Sequence, residues 1–423
     1  MDRKLPFTLK QAQAWRGRFG TPFYVYDEAG IRKAVSEVRS AFSWNRGFTE
    51  CFAVKATPTP AIIRLLASMG CGTDCASVSE IAISRASGLS GRRIMFTSNE
   101  TSDEAYRAAV AAGAIINLDD ITQIDVLERA AGIPETVSLR YNPGSFDVAG
   151  GAAVTSSIMG NLADSKFGMT REQLFEAYAV LKEKGARHFG IHCMAASCCL
   201  EDSYYPTLAE MLFNIVLEVR EKLGIAIEIV DLGGGIGIPY RPEQKSVDMK
   251  KIGQGVREKY EQILGPAGID AAIYTELGRY ITGPNGYLVA SVRGKKHIYR
   301  EYIGLDATAC DLMRPAMYGA YHHITILGKE DAPEAGHFDV CGGLCENNDK
   351  FAVDRALPEA DYGDMAVIHD AGAHGRSMGY NYNGMLRCGE LLLSENGDVR
   401  MIRRPESLDD LFATFDVDGD FNY

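Results

Sequence analysis

Short apolar runs alternate with longer segments of helical periodicity between residues 51 and 282, and this alternation restricts the fold more than any other feature of the chain. Apolar runs of this length predict buried strands, and apolar residues repeated every three or four positions predict helices. Strands that alternate with helices form parallel sheets. The predicted strands are Phe52–Lys55, Gly72–Ala76, Ile94–Ser98, Ile115–Leu118, Ser138–Tyr141, Phe189–Met194, Ile227–Leu232 and Ile273–Leu277.

Eight strands of this kind predict an α/β fold with a closed (β/α)8 barrel, and an open doubly wound sheet is the alternative. In such barrels the functional residues lie at the carboxyl ends of the strands. Helices predicted between the strands include Pro60–Met69, Val78–Ala86, Ser102–Ala112, Arg171–Glu183 and Pro206–Leu223.

After about residue 283 the helical periodicity disappears and short β-type runs separated by Gly, Pro and Asn predict a mostly β C-terminal domain. The run Phe23–Tyr26 is expected to add an N-terminal strand to it. The predicted domains are a barrel over residues 28–283 and a β domain made of residues 1–27 and 284–423. A Gly/Ser/Ala-rich segment, 144–164, predicts a lid over the barrel mouth. The C-terminal strands are predicted at Tyr287–Val292, His297–Ile303, His337–Val340, Met365–Asp370 and Glu390–Ser394.

The composition excludes several classes of function. A net charge of -12 without a basic stripe argues against a nucleic-acid or membrane-surface partner. The N-terminus has no apolar signal region and the chain has no run of about 18 apolar residues. The expected location is therefore the reducing cytoplasm, where the ten cysteines would stay free. Their spacing lacks the paired pattern of zinc sites, so no metal is predicted.

Lys55 follows the apolar run Cys51–Val54 at the end of the first predicted strand. An amine at the mouth of a barrel can form a Schiff base with an aldehyde cofactor. A lysine beside a short apolar run is more often a strand-end charge in water. The functional interpretation of Lys55 therefore depends on the segments that follow.

Three glycines, Gly233, Gly234 and Gly235, follow the predicted strand Ile227–Leu232. Glycine lets the backbone approach an anion and point its N–H groups at it, as a phosphate site requires. A tight barrel turn is the alternative, and the segment does not match the dinucleotide pattern GxGxxG. Late loops of these barrels often hold phosphate, which favours the phosphate interpretation.

The next predicted strand ends in Glu276, Leu277, Gly278 and Arg279. A carboxylate here could pair with a protonated pyridine nitrogen, and the arginine could bind phosphate or a substrate carboxylate. An ordinary surface pair between Glu276 and Arg279 is the alternative, and it would contribute about 0–1 kcal/mol. Position at the same end of the barrel as Lys55 favours a functional role.

Seven short segments with chemically useful residues follow one another along nearly the whole chain: Ala53–Ala56, Ser165–Gly168, Gly233–Gly235, Glu276–Arg279, Arg314–Tyr318, Cys341–Glu346 and Asn381–Asn383. In this order, from about residue 20 to 395, they resemble the fold-type III pyridoxal phosphate (PLP) decarboxylases. Within these, they are most similar to the diaminopimelate decarboxylase family. The Cys345-Glu346 pair and the stretch 314–322 are the most specific segments.

The resemblance implies a PLP cofactor attached to Lys55 and decarboxylation of meso-2,6-diaminopimelate to L-lysine and CO2. It also implies a homodimer with shared active sites, in which Cys345 of the second subunit returns a proton to the substrate carbon. The implied cofactor-binding residues are Lys55, Met194, Ser197, Gly233, Gly234, Gly235, Glu276, Gly278, Arg279 and Tyr382. The implied substrate-binding residues are Arg279, Arg314, Tyr318, Glu346 and Tyr382.

Two positions depart from the family's pattern. Leu277 replaces a proline, which frees one backbone dihedral angle. Met194 replaces a histidine that stacks on the cofactor ring in many relatives, and a thioether can still pack on an aromatic face for about 0.3–1.5 kcal/mol. His192, two residues earlier, is predicted to be a packed strand residue rather than a functional one.

Four alternatives to diaminopimelate decarboxylation are open at this stage. A related barrel decarboxylase would act on ornithine, lysine, arginine or carboxynorspermidine, although Arg314, Tyr318 and Glu346 favour a substrate whose far end carries both carboxylate and ammonium. A racemase would need two bases on opposite faces of the reacting carbon. A non-catalytic PLP carrier would not need Cys345, and a decayed homologue is expected to lack it or Lys55.

Overall fold

The computed structural model describes residues 4–148, 152–153 and 162–416. The chain divides into two compact units. One comprises the described residues of Met1–Gly30, Tyr240–Pro242 and Thr282–Tyr423, and the other comprises those of Ile31–Pro239 and Glu243–Ile281. Most of the segment predicted to be a lid, residues 149–151 and 154–161, lies outside the described residues. In the described part of the chain, no helix is long and apolar enough to cross a membrane.

The larger unit contains a closed barrel of parallel strands, which confirms the predicted fold and excludes the open sheet. Each strand pairs with the next one along the chain, and the last pairs with the first. Within the described residues the eight barrel strands are Thr49–Ala53, Gly72–Cys75, Ile94–Ser98, Ile115–Leu118, Thr136–Arg140, His188–His192, Ile227–Asp231 and Ala272–Thr275.

Helices connect these strands, and several begin at the capping residues that the sequence offers. The side chains of Ser77, Ser102, Thr170 and Asp248 each accept a hydrogen bond from a backbone N–H in the first turn of the helix that follows. The helices of this unit are Glu28–Ala41, Pro60–Ser68, Val78–Ala86, Asp103–Ala111, Gln123–Ala131, Arg171–Glu183, Tyr204–Leu223, Met249–Ile263 and Arg279–Thr282, of which the first and last cross into the other unit at their ends. Short 3-10 turns are Val54–Ala56, Gly91–Arg93 and Leu162–Asp164, and a two-stranded ribbon joins Asp147–Val148 to Ala152–Ala153.

The smaller unit is built on a mixed β-sheet. The N-terminal strand Phe23–Asp27 lies inside this sheet, antiparallel to Gly286–His297 and parallel to Gly389–Leu393. The other strands are Glu301–Leu305, Ile324–Ile326, Gly336–Cys341, Lys350–Leu357, Met365–Ile368 and Val399–Arg403. The helices are Leu9–Phe19, Arg314–Tyr318 and Leu408–Phe412, with 3-10 turns at Gly283–Asn285 and Arg376–Met378.

Alternate residues of four sheet strands form the core of the smaller unit, as expected for strands with one buried face. The pairs 23/25, 287/289, 365/367 and 391/393 pack together, and Ala12 and Trp15 of the N-terminal helix cover them. The fold thereby places the N-terminal segment and the C-terminal region of the chain in one unit.

Candidate active site

A cavity of about 380 Å³ opens at the carboxyl ends of the barrel strands. Four residues predicted from the sequence to bind the cofactor, Lys55, Met194, Ser197 and Glu276, share this cavity. The remaining lining residues are Asp74, Ala76, Thr97, Asn99, Arg140, Phe167 and His192.

Lys55 enters the cavity from a 3-10 turn, Val54–Ala56, and not from the strand itself. The predicted strand Phe52–Lys55 was wrong at this end, because the strand stops at Ala53. The turn lets the lysine side chain remain about half exposed, with Nζ 3.9 Å from Asp74 Oδ2. Burial raises the pKa of Asp74 well above its usual value, and the nearby Glu276 carboxylate raises it further.

Glu276 follows the last barrel strand and is almost fully buried. Its Oε2 atom lies 3.2 Å from His192 Nε2. Burial alone would raise the pKa of Glu276, but His192, Lys55 and Arg140 together hold it below its usual value. Because an ionised carboxylate can only accept hydrogen bonds, His192 donates from Nε2. His192 is thus a packed strand residue, as predicted, and it also contacts a residue of the site, which the sequence did not indicate.

Asp231 is a further buried polar group at this end of the barrel. One nitrogen or oxygen from each of His192, Asp231 and Glu276 lies within 4.8 Å of the other two. Asp231 Oδ1 accepts a hydrogen bond of 2.8 Å from the Gly233 N–H. Burial, followed by the Glu276 charge, raises the pKa of Asp231 well above its usual value. The cluster therefore concentrates its negative charge on Glu276.

Among the described residues, Glu276 Oε1 has no hydrogen-bond partner. Such an oxygen in a buried, ionised carboxylate is destabilising unless a donor reaches it. The Asp231 carboxyl group, when protonated, is one donor to Glu276, and a protonated ring nitrogen is another of the required kind. The Glu276 carboxylate is therefore compatible with the predicted contact to a pyridine ring.

The glycines 233–235 form a turn that only glycine can make here. Gly233 and Gly235 have φ angles of +61° and +106°. A Cβ on Gly235 would lie 2.8 Å from both Ala196 O and Tyr204 Oη, and a Cβ on Gly234 would lie 2.7 Å from Glu276 O. The backbone is packed too closely for any side chain, as expected for a loop that brings its N–H groups to an anion.

Gly278 packs the Glu276 loop against the turn that carries Lys55. A Cβ at this position would lie 2.7 Å from Ala56 Cβ and 3.2 Å from Ala53 Cβ. Gly278 thus keeps the Glu276 and Lys55 segments together. Arg279 begins the helix Arg279–Thr282 directly after it.

The substrate-binding residues predicted beyond residue 300 lie in the smaller unit. Arg314 is 3% exposed. Its Nη1 donates to His322 Nε2 at 3.0 Å, and its guanidinium lies 4.7 Å from the centre of the Tyr240 ring. His322 Nδ1 in turn donates to the backbone oxygen of His369 at 2.8 Å. Arg314 is therefore held in one orientation, while Tyr318, at the end of the same helix, is exposed.

Asn383 connects the segments that carry Cys345 and Tyr382. Its Oδ1 accepts a hydrogen bond of 2.7 Å from the Cys345 N–H. Cys345 is exposed, and so is the adjacent Glu346, whose Oε1 accepts from the Asn348 N–H. The structure thus brings together three predicted site residues from two segments of the smaller unit.

Asp349 fixes the Cys345 loop from inside. Its Oδ1 accepts from the Ala309 N–H at 2.7 Å and its Oδ2 accepts from the Leu344 N–H at 2.8 Å. We expect Asp349→Ala to lower the free energy of unfolding by about 2–4 kcal/mol, because two backbone N–H groups would lose their acceptor. Urea denaturation measures this loss, with the exposed Asp331→Ala as control. Equal stability of the two variants would contradict the assignment.

Sequence reasoning missed Asp74, Arg140, His192 and Asp231, all of them buried. Each lies in the last two residues of a barrel strand. A polar residue at the carboxyl end of an apolar barrel strand was the signal that could have found them.

Comparison with known proteins identifies the family of this chain. Residues 28–283 match the family described as pyridoxal-dependent decarboxylase, pyridoxal binding domain. This match, together with the closed parallel barrel, identifies a PLP-dependent enzyme of the barrel class. The chain belongs to the pyridoxal-dependent decarboxylase family, and the protein is a PLP-dependent decarboxylase.

Several relatives match nearly the whole chain. Protein TabA of Pseudomonas amygdali pv. tabaci is 42% identical, over 93% of this chain and 90% of its own. The diaminopimelate decarboxylase of Methanothermobacter thermautotrophicus is 35% identical, over 93% of this chain and 91% of its own. The crystal structure of diaminopimelate decarboxylase from M. jannaschii in co-complex with L-lysine has a TM-score of 0.86 at 30% identity, covering 96% of this chain and 94% of that one.

Proposed function

We propose that this protein converts meso-2,6-diaminopimelate to L-lysine and CO2. The similarity to diaminopimelate decarboxylases over more than nine-tenths of both chains carries the proposal. One of these relatives has been crystallised with L-lysine, the product of the proposed reaction. The sequence features of the predicted distal site support the same substrate.

The barrel residues would hold the cofactor and favour the protonated form of its ring nitrogen. Lys55 would bind it covalently, the glycines 233–235 and Ser197 would hold its phosphate, and Glu276 would face its ring nitrogen. Bound PLP supplies the electron sink without which a carbanion next to an amine is too unstable to form. Met194 lines the same cavity, where its thioether is available to pack on the ring.

The predicted substrate-binding residues would hold the far end of the substrate. A cation beside the leaving carboxylate would stabilise the ground state and oppose loss of CO2, so arginines serve the distal carboxylate better. Arg314 is held by its hydrogen bond to His322, and its guanidinium is the planar cation that would bind the distal carboxylate. Glu346 would bind the distal ammonium group, with Arg279, Tyr318 and Tyr382 completing the distal site.

We further propose a homodimer in cytoplasm, with each active site completed by the other subunit. In this arrangement Cys345 of the partner subunit would donate the proton that replaces CO2 on the substrate carbon. The exposure of Cys345 supports this role, because a thiol that acts in another subunit's site must reach the surface of its own.

A different amino-acid substrate is the second candidate. The relative at 42% identity is named Protein TabA, a name that specifies no substrate, and it is more similar to this chain than the 35% identical diaminopimelate decarboxylase. Met194 also lies in the cavity at a position where many relatives have histidine. These observations favour testing ornithine, lysine and arginine beside diaminopimelate.

CO2 release by the PLP-loaded protein, with meso-diaminopimelate, L-lysine, L-ornithine and L-arginine in parallel, tests the proposal. We expect kcat/KM for diaminopimelate to exceed that for each other substrate by at least about 100-fold. A site that pairs with two distal charged groups leaves some of its polar groups unpaired when the substrate carries only one. Cys345→Ala is expected to lower kcat strongly, whereas Cys71→Ala, a buried barrel thiol, is not. Preference for another amino acid would overturn the distal-site assignment.

A further inference from the structure

Glu50 is a fully buried glutamate in the first barrel strand, Thr49–Ala53. Glutamate is rarely buried unless its carboxyl group has partners. In this position it is paired with the last barrel strand, where its Cα partner is Thr275. Its location one residue away from Glu276 across the sheet indicates a role in the site.

The Glu50 carboxyl group binds both residues that flank Glu276. Its Oε2 atom accepts a hydrogen bond of 2.5 Å from Thr275 Oγ1. Its Oε1 atom accepts a hydrogen bond of 2.9 Å from the backbone N–H of Leu277. The two contacts hold the chain immediately before and after Glu276.

The second contact depends on Leu277. The motif that this segment resembles has proline here, and proline has no N–H to donate. This chain has both the N–H at position 277 and an acceptor for it. The hydrogen bond to Glu50 thus restrains a backbone position that a proline ring would otherwise restrain.

The pKa values of the two glutamates are shifted in opposite directions. Burial raises the pKa of Glu50 well above its usual value, and the Glu276 charge raises it further, although the bonds from Thr275 and Leu277 oppose this. The pKa of Glu276 is held below its usual value by His192, Lys55 and Arg140 in spite of its burial. The raised pKa favours the neutral form of Glu50, which would bind the Glu276 loop without placing a second negative charge beside it.

We propose that Glu50 is a positioning residue that fixes the Glu276 carboxylate toward the cofactor ring by hydrogen bonding the residues on either side of it. The inference rests on the assignment of Glu276 to the ring nitrogen. Glu50 is not among the residues that line the cavity proposed to hold the cofactor.

Two substitutions at position 50 test this role. Glu50→Gln keeps an acceptor for Leu277 and a polar partner for Thr275 without charge, whereas Glu50→Met keeps the volume and removes both contacts. The readouts are the PLP dissociation constant of the apoprotein and the ¹⁵N chemical shift of ring-labelled PLP, which reports protonation of the ring nitrogen. We expect Glu50→Met to weaken PLP binding about tenfold and to move the shift toward the unprotonated value. Glu50→Gln should stay within about twofold of the wild type.

A purely structural role would give a different result. If Glu50→Met lowers stability but leaves the PLP dissociation constant and the ¹⁵N shift unchanged, the proposal is overturned. Loss of PLP affinity in Glu50→Gln equal to that in Glu50→Met would also overturn it, because charge and not hydrogen bonding would then matter.

Thr275→Val provides a second test should Glu50→Met fail to fold. It removes the hydroxyl group that donates to Glu50 and keeps a side chain of similar shape, and we expect it to move the ¹⁵N shift in the same direction as Glu50→Met; an unchanged shift overturns the proposal. Glu276→Gln separates failure of the underlying assignment. If Glu276→Gln leaves the ¹⁵N shift unchanged, Glu276 does not face the ring nitrogen, and the role of Glu50 falls with it.

Discussion

Lys55→Ala is expected to reduce the rate of CO2 release at least about 1,000-fold, because the variant loses the amine that we propose binds the cofactor covalently. The fold should not change. The Lys55 side chain is 49% exposed and its ion-pair partner is 3.9 Å away, so truncation removes little packing and leaves no buried cavity. Circular dichroism and steady-state kinetics of the purified variant provide the measurement.

Lys33→Ala is the matched control for this prediction. Lys33 belongs to the barrel unit, is 78% exposed and pairs only weakly with Glu37 at 3.9 Å. We expect wild-type activity from it. Activity of Lys55→Ala within tenfold of the wild type would show that another group carries the cofactor.

The barrel could be predicted from the sequence because its strands are continuous apolar runs bounded by turn residues. The predicted strands Ile94–Ser98 and Ile115–Leu118 agree with the structure at both ends. The end of the first strand could not be predicted in the same way, because the turn that presents Lys55 continues the apolar run through Val54. Apolar pattern does not distinguish a strand from a buried turn.

The contacts inside the site could not be predicted from local pattern. His192 and Glu276 are 84 residues apart, and Glu50 and Leu277 are 227 apart. Only closure of the barrel, which pairs the last strand with the first, brings Glu50 beside the Glu276 loop. The sequence therefore predicts which strand ends carry chemistry, while topology decides which side chains meet.

In the glycine turn 233–235, we expect Gly235→Ala to weaken PLP binding by about 10- to 100-fold. A methyl group at this position would overlap a backbone oxygen and the buried Tyr204 ring, and the φ of +106° is unfavourable for alanine. Overpacking and backbone strain together amount to about 2–4 kcal/mol, which the loop can relieve only by moving the N–H groups that we propose bind the phosphate. Titration of apoprotein with PLP measures the dissociation constant.

Gly132→Ala separates crowding from backbone strain. Gly132 ends the helix Gln123–Ala131 with φ of +78°, and no atom lies within 4 Å of a Cβ placed there. We expect both alanine variants to lose about 1 kcal/mol of stability from the unfavourable φ, but only Gly235→Ala to lose PLP affinity. Equal PLP affinity in the two variants would mean that this turn does not hold the phosphate, and the anion site would have to be sought at another strand end of the barrel.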